Sequence, residues 1–206
     1  MPPSSLPYRA AKRGLDLVLS VVLLLGLLPG LVLIGFLILI DSGRPVFFVQ
    51  ERVGRKGTRF PLYKFRTLTL GPHDPTQPAD HATRVGAVLR RWALDELPQL
   101  WNVLRGDMSL VGPRPIPPDH LDAYGPRERM RLKVRPGLTG WAQIHGRNAL
   151  SWDERIEHDV WYVNHRSLRL DLYIVARTPV VILNGTGVYG PEGQNPSFAE
   201  SLSSSS

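Results

Sequence analysis

Cysteine is absent from the 206-residue chain, so no disulfide staples the fold and no thiolate can act as nucleophile, redox centre or metal ligand. Histidine is sparse: its six copies include no i, i+4 pair beside a carboxylate, so no zinc site is expected. Also missing are a P-loop, a GxSxG elbow and any internal repeat, which sets aside the common triphosphate and serine-hydrolase sites. Acidic residues are outnumbered, 18 against 25 Lys plus Arg, leaving a formal charge of +7. Such a surplus favours anionic partners, namely phosphates, acidic lipid surfaces or nucleic acid. Nucleic acid is disfavoured, because the aromatic residues sit in apolar helical patterns instead of interleaving with Lys and Arg on a strand face. What remains supports one modest domain with a membrane element.

From Leu15 to Ile40 only Asp16 and Ser20 are strongly polar, and these 26 residues exceed the roughly 20 needed to cross a bilayer. No small-residue cleavage site follows, which argues against a signal peptide. Arg9, Lys12 and Arg13 precede the run, and Arg44, Arg52, Arg55, Lys56, Arg59, Lys64 and Arg66 follow it. Basic flanks mark the cytoplasmic side, so both ends call for the same side of the membrane. A helix broken at Pro29–Gly30 satisfies both flanks by entering and leaving through one face, whereas a straight span does not.

Beyond the run, PVFFVQERV and FPLYKFRTL read as two short strands joined by a turn over Gly54 to Gly57, and residues 71–82 read as a loop. Trp152, Ile156, Val160 and Val163 recur at helical spacing beside Trp161 and Tyr162, a pattern suited to headgroup depth. The run from Leu172 to Leu183 is too short to span, so it lies on the surface or packs on the core.

Chemistry concentrates in LRRWALDELPQLWNVLRGDMSLVGPRP, residues 89–115. Leu97, Leu100, Trp101 and Leu104 fall on one helical face, with Gly106 as the stop. Pro98 fits only the first turn of that helix, which puts Asp95 at or next to the N-cap and Glu96 just inside. Two carboxylates at a positive helix end, with Arg90, Arg91, Arg105 and Arg114 around them, suggest a phosphate site at which a divalent cation intervenes or one carboxylate attacks phosphorus. Mg²⁺ suits the first case, since it takes one or two protein carboxylates together with phosphate oxygens.

LDELPQLWNVLRGDMSLVGPRP, together with YKFRT (63–67), VRPGLTGWAQIHGRN (134–148) and the YV…S…LDL pattern (162–172), resembles the bacterial sugar transferases, the small monotopic phosphoglycosyl transferases that start glycan assembly. The likeness runs from about Arg13 to about Leu183. It implies an α/β, mostly helical, monotopic fold: a basic flank over 1–14, a re-entrant helix over 15–40, a catalytic region over 41–184 with interfacial helices and short strands, and a flexible tail over 185–206. It also implies transfer of a sugar 1-phosphate from a UDP-sugar to polyprenol phosphate, undecaprenyl phosphate in the usual case, with release of UMP. The resemblance makes Asp95 the nucleophile, kept ionised by the helix N-terminus, and makes Glu96 a holder of Mg²⁺. Lys64, Arg90 and Arg114 match basic positions of the family's site, Arg135, Gln143 and Arg147 offer donors to phosphate, ribose or uracil, and Asp171 matches an acidic position of open role. Membrane lipids are the remaining partners, a homo-oligomer is compatible, and the implied location is the bacterial cytoplasmic membrane with the catalytic region and both termini on the cytoplasmic side. One departure stands out: relatives often carry Ser before the bending proline, where this chain has Leu28. In extent the chain resembles the minimal catalytic unit, without the further spanning helices of larger relatives.

Overall fold

The apolar run folds into a helix longer than its apolar part. In the computed structural model, which describes residues 6–71, 80–185 and 187–188, α1 spans Leu6–Ser42 and stays helical through Pro29. The expected pair of helices separated by a break is therefore one element, since proline costs a single backbone donor and the neighbouring turns hold. Asp16 and Ser20, the two polar residues of the run, are buried. Most of the remainder faces outward: only 6% of the most apolar 18-residue window is covered, whereas a core helix would be largely enclosed.

Both ends of α1 dock on the same globular region. At the entry, Lys12 pairs with Asp171 at 2.9 Å, and Arg13 donates to the carbonyls of Val103 and Leu104 at 2.6 and 2.9 Å. Asp16 Oδ1 accepts from the Leu110 amide and the Ser109 hydroxyl at 3.0 and 3.1 Å. At the exit, buried Arg66 donates to the carbonyls of Ser42, Gly43 and Arg44, and Asp41 accepts from the Val85 amide at 3.0 Å.

The expected hairpin is present. β1 (Phe47–Val53) pairs antiparallel with β2 (Arg59–Phe65) in the register Val53↔Arg59 to Phe47↔Phe65, around a turn at Arg55–Gly57. Thr83 then caps α2 (Arg84–Arg91), its hydroxyl accepting from the Gly86 amide at 2.9 Å. Residues 72–79 of the loop lie outside the described residues; at its close, Ala82 bridges back to Leu68.

The helix read from Leu97 begins later. α3 spans Gln99–Arg105 with Pro98 as N-cap, and Gly106 ends it at φ +89, as expected. Its buried face is Gln99, Leu100, Asn102 and Val103, while Trp101 is 54% exposed, so the face read from sequence is rotated. In a helix of two turns the contacts with β2 choose the inward side. Fully buried Asn102 fixes that contact by accepting from the Tyr63 amide and donating to the Pro61 carbonyl at 3.2 and 2.7 Å.

β3 (Ser109–Val111) runs parallel to β4 (Gly137–Thr139), and the backbones cross at three glycines. A Cβ on Gly112 would meet the Arg135 carbonyl at 2.4 Å, and one on Gly137 or Gly140 would meet the Gly112 backbone at 2.1 or 2.2 Å. Gly137 and Gly140 of VRPGLTG thus serve close packing of chain on chain. The short α4 (Trp141–Ile144) follows.

α5 (Trp152–His165) starts with a capping box between Ser151 and Glu154, and α6 (Leu168–Leu183) is capped by Ser167 and continues through Pro179. Leu172, Tyr173, Val180 and Leu183 of α6 are exposed while Ile174 enters the core, so the helix both packs and presents an apolar face. The main core joins Phe60, Leu62, Leu100, Val103, Met108, Tyr162 and Ile174. Of the expected tail, Gly187 and Val188 are bonded to Asn148 through their carbonyls, and all beyond Val188 lies outside the described residues.

Because Asp16 is the acceptor for two buried donors, Asp16→Ala should cost about 1–3 kcal/mol. The loss reads as a lower unfolding temperature of the detergent-solubilised chain, and Asp16→Asn, which keeps an acceptor oxygen, should lose less.

Candidate active site

Asp95 and Glu96 sit in a single 3₁₀ turn, Leu94–Glu96, between α2 and α3. Ala93 leads into the turn at φ +53, a left-handed conformation uncommon for a residue with a Cβ and one that reverses the chain so that both carboxylates face β2. The expected N-cap placement is corrected: α3 starts three residues after Glu96, because Pro98 takes the cap.

Glu96 is clamped. Its Oε1 accepts from Lys64 Nζ at 2.7 Å and from Arg114 Nη2 at 2.5 Å, and its Oε2 accepts from Arg114 Nη1 at 3.2 Å. The Arg114 fork meets the carboxylate in bidentate fashion, the strong geometry for such pairs. Burial alone would raise the Glu96 carboxyl, yet Arg114 and then Lys64 hold it well below the usual range. Lys64 comes from β2, whose distance from the turn is set by the Asn102 bonds to Tyr63 and Pro61.

Asp95 is placed oppositely. It is 7% exposed, and its carboxylate accepts no hydrogen bond among the described residues. Burial lifts its pKa against the pull of Lys64, and the Glu96 charge lifts it further. Because α3 starts later than expected, Asp95 lies outside the first turn of that helix, and burial is the largest influence on its carboxyl. Two adjacent carboxyls driven apart by their surroundings mark distinct roles: one is held as a permanent anion and the other is left uncommitted.

Other expected residues divide into two groups. The Arg90 charge reaches Asp95, while its Nε donates to Thr67 Oγ1 at 2.9 Å. Arg147, at φ +53, feels the charges of Glu96 and Asp95; one of its terminal nitrogens is buried without a partner among the described residues. Gln143 has both amide atoms buried and unpartnered on the same basis, which leaves them free for a ligand. Arg135, in contrast, lines a separate cleft with Arg55 and Arg59. Asp171 is buried between Lys12 and the Tyr162 hydroxyl, which donates to it at 2.7 Å; there it locks α1 to α5 and α6. Sequence reasoning missed Arg52, counted only as a flank cation. Burial and the Arg114 charge pull its pKa down to about 10, and its Nε is buried without a partner among the described residues. Only the hairpin register brings it near Arg114, so no motif could have disclosed it.

A divalent cation fits these donors. Glu96 Oε2 carries a single long bond, the Asp95 carboxylate is free, and Mg²⁺ needs no more than one or two carboxylates when phosphate oxygens complete its shell.

The sequence profile described as "Bacterial sugar transferase" matches residues 7–185. "Uncharacterized sugar transferase EpsL" of Bacillus subtilis (strain 168) is 48% identical over 151 residues, 71% of this chain and 74% of that protein. "Undecaprenyl-phosphate galactose phosphotransferase" of Salmonella typhimurium is 38% identical over 201 residues, covering 88% of this chain but 42% of that protein. "Exopolysaccharide production protein ExoY" of Rhizobium meliloti (strain 1021) is 39% identical over 199 residues, 87% of this chain and 88% of that protein. The chain therefore spans less than half of the Salmonella relative and most of the Rhizobium one.

The opposed carboxyls give a signed expectation. A folded pKa raised above the unfolded value means that stability falls as pH climbs between the two, so the Asp95 anion burdens the fold at neutral pH. Asp95→Asn should then raise the unfolding temperature, by about 2–4 °C for each kcal/mol relieved. Glu96 is the reverse case: its depressed pKa stabilises the fold above the ordinary glutamate range, and the contribution fades as pH falls towards the folded value. Glu96→Gln should lower stability at neutral pH and flatten the acid limb of a stability-versus-pH profile.

Proposed function

The chain belongs to the bacterial sugar transferase family, and from that premise we propose that it moves a sugar 1-phosphate from a UDP-sugar to polyprenol phosphate through a covalent intermediate on Asp95. The names of the relatives support the reaction class: one acts on undecaprenyl phosphate and another serves exopolysaccharide production. The observation that carries the reading is the contrast within the acidic pair, a buried carboxylate free of hydrogen bonds beside one saturated by Lys64 and Arg114.

In the first step an Asp95 carboxylate oxygen attacks the sugar-bearing phosphorus. The bond from that phosphorus to the bridging oxygen breaks, and UMP departs with the electron pair. The product on the protein is a mixed anhydride of aspartate and phosphosugar. An oxygen of polyprenol phosphate then attacks the same phosphorus, the bond from that phosphorus to the Asp95 oxygen breaks, and the Asp95 carboxylate leaves with the electron pair. Lys64, Arg114, Arg90, Arg147 and Arg52 surround the place where phosphate charge accumulates, and fixed cations in a partly dry site stabilise it with little reorganisation. Glu96 keeps Lys64 and Arg114 in register and, with Asp95, would hold Mg²⁺. Bound there, Mg²⁺ would neutralise diphosphate charge. Gln143, with its unpartnered amide, suits the uracil or ribose of the donor.

We read α1 as re-entrant. A helix whose outward apolar face demands lipid, and whose two ends are tied to one domain, favours entry and exit through one side. The acceptor phosphate lies in the headgroup layer and the donor is soluble, so a site held at that depth meets both. The basic flanks place that side in the cytoplasm.

Three measurements test this. Incubating the purified chain with Mg²⁺ and radiolabelled UDP-sugars, without acceptor, should label Asp95 with one of them, and Asp95→Asn should abolish labelling and lower UMP release by more than about 10³-fold. An unlabelled wild-type chain across a full donor panel would sink the covalent route, and UMP release indifferent to polyprenol phosphate would point to a hydrolase. Arg114→Gln should cost about 10²–10³ in turnover, as for loss of one preorganised charge-stabilising donor. Tags at Ser4 and at the C-terminus should both resist labelling from outside intact cells; a labelled N-terminus would restore a straight span.

A further inference from the structure

At the far end of β2 and α3 from the carboxylates lies a cleft of about 330 Å³ lined by Arg55, Lys56, Arg59, Arg135, Phe60 and Asp107. Its charge is unbalanced. Asp107 is engaged by Arg105 at 3.3 Å and Arg59 by Glu51 at 3.2 Å. Arg55, Lys56 and Arg135 have no carboxylate partner among the described residues. Burial lowers the pKa of Arg55, and the charges of Arg9, Arg135 and Arg166 lower it further, so three guanidiniums press on Arg55 while the carboxylate of the lining, Asp107, is engaged by Arg105.

The cleft also has a fixed relation to the membrane helix. Gly106 is part of its wall, and the Arg13 guanidinium lies 3.4 Å from where a Cβ on Gly106 would sit. Arg13 precedes Leu15, the first residue of the apolar run, by two positions, or about 3 Å of helix rise. The cleft thus opens at the level where hydrocarbon gives way to headgroups. It is distinct from the reaction site: Arg59 and Lys64 are five residues apart on one extended strand, about 17 Å. Its volume falls at the low end of the ~300–1,000 Å³ of small-ligand pockets, enough for a headgroup.

We propose that the cleft bounded by Arg55, Arg59 and Arg135 is a second anion site, built to hold the phosphate diester of an acidic membrane phospholipid beside the entry of α1. Guanidinium forks match the paired oxygens of a phosphate diester, and a singly charged headgroup relieves the mutual repulsion of the arginines. The site would fix how deep the chain sits and leave the Asp95 pocket to donor and acceptor. It reassigns Arg135 from substrate to lipid. This inference rests on α1 lying in the bilayer, as argued above.

The test is the unfolding temperature of the full chain in a neutral detergent, titrated with dihexanoyl phosphatidylglycerol, dihexanoyl phosphatidylcholine or inorganic phosphate. Phosphatidylglycerol at about a hundred times its dissociation constant should raise the temperature by about 5–10 °C. Phosphatidylcholine and inorganic phosphate at equal concentration should leave it within 1–2 °C, on the order of one weak contact. Arg55→Gln changes one half-buried cation of the hairpin turn and should at least halve the shift; Arg55→Lys should restore most of it; Arg84→Gln, on the surface of α2, should keep it whole. An equal response to phosphatidylcholine, an equal response to inorganic phosphate, or a full shift in Arg55→Gln each overturns the proposal. UMP release measured in the same detergent separates the two readings. Turnover without a headgroup effect defeats the cleft assignment alone, and a headgroup effect without turnover defeats the reaction alone.

Discussion

Everything in this molecule depends on the anchoring of α1 at both ends to one domain. Lys12, Arg13 and Asp16 bind its entry to Asp171, α3 and β3, while Asp41 and Arg66 bind its exit to α2 and β2. These are charge-assisted bonds made at the margin of the domain, where each is stronger than its counterpart in open water. Between them the helix offers almost nothing but hydrocarbon, an apolar surface that the described residues of the domain leave uncovered. On the re-entrant reading, lipid would cover that surface.

Within that frame the acidic pair shows how neighbouring side chains of one chemistry come to differ. Glu96 lies where a strand lysine and a loop arginine converge, and its charge is held. Asp95, one residue earlier, makes no hydrogen bond to that fork and keeps its oxygens free at the expense of desolvation. The left-handed Ala93 and the 3₁₀ turn make the separation possible, because a regular helix would turn the two carboxylates about 100° apart around its axis without reversing the chain before them. A strained entry and a buried, uncommitted anion both weaken the fold locally, as is usual where function sets the geometry.

Much of this was legible in the chain itself. The hairpin showed through turn residues at Gly54–Gly57, the end of α3 through Gly106, and α5 through the spacing of Trp152, Ile156, Val160 and Val163, all short-range signals whose physics is complete within a few residues. The sorting of cations was not legible. Arg135 and Arg147 lie twelve residues apart in one motif and go to different places, Asp171 becomes an anchor, and Arg52 joins the site through strand pairing. The close approach at the glycines of VRPGLTG was hidden as well, because only the tertiary crossing with Gly112 discloses what they approach. Pattern reading also rotated α3, since periodicity reports apolar spacing and the contact partner decides which side turns inward.

Arg66 stands two residues after Lys64 on the same extended segment, and its guanidinium grips the carbonyl of Ser42, the last residue of α1, and those of Gly43 and Arg44 just beyond it. A strand is stiff along its length, so a displacement of the helix exit is carried to the ammonium group that neutralises Glu96. Bilayers of different thickness press on such a helix through hydrophobic mismatch, at fractions of a kcal/mol per ångström. Under the proposed reaction the chemical step would then respond to acyl-chain length, and turnover compared across phosphatidylcholines of increasing length would read that response directly.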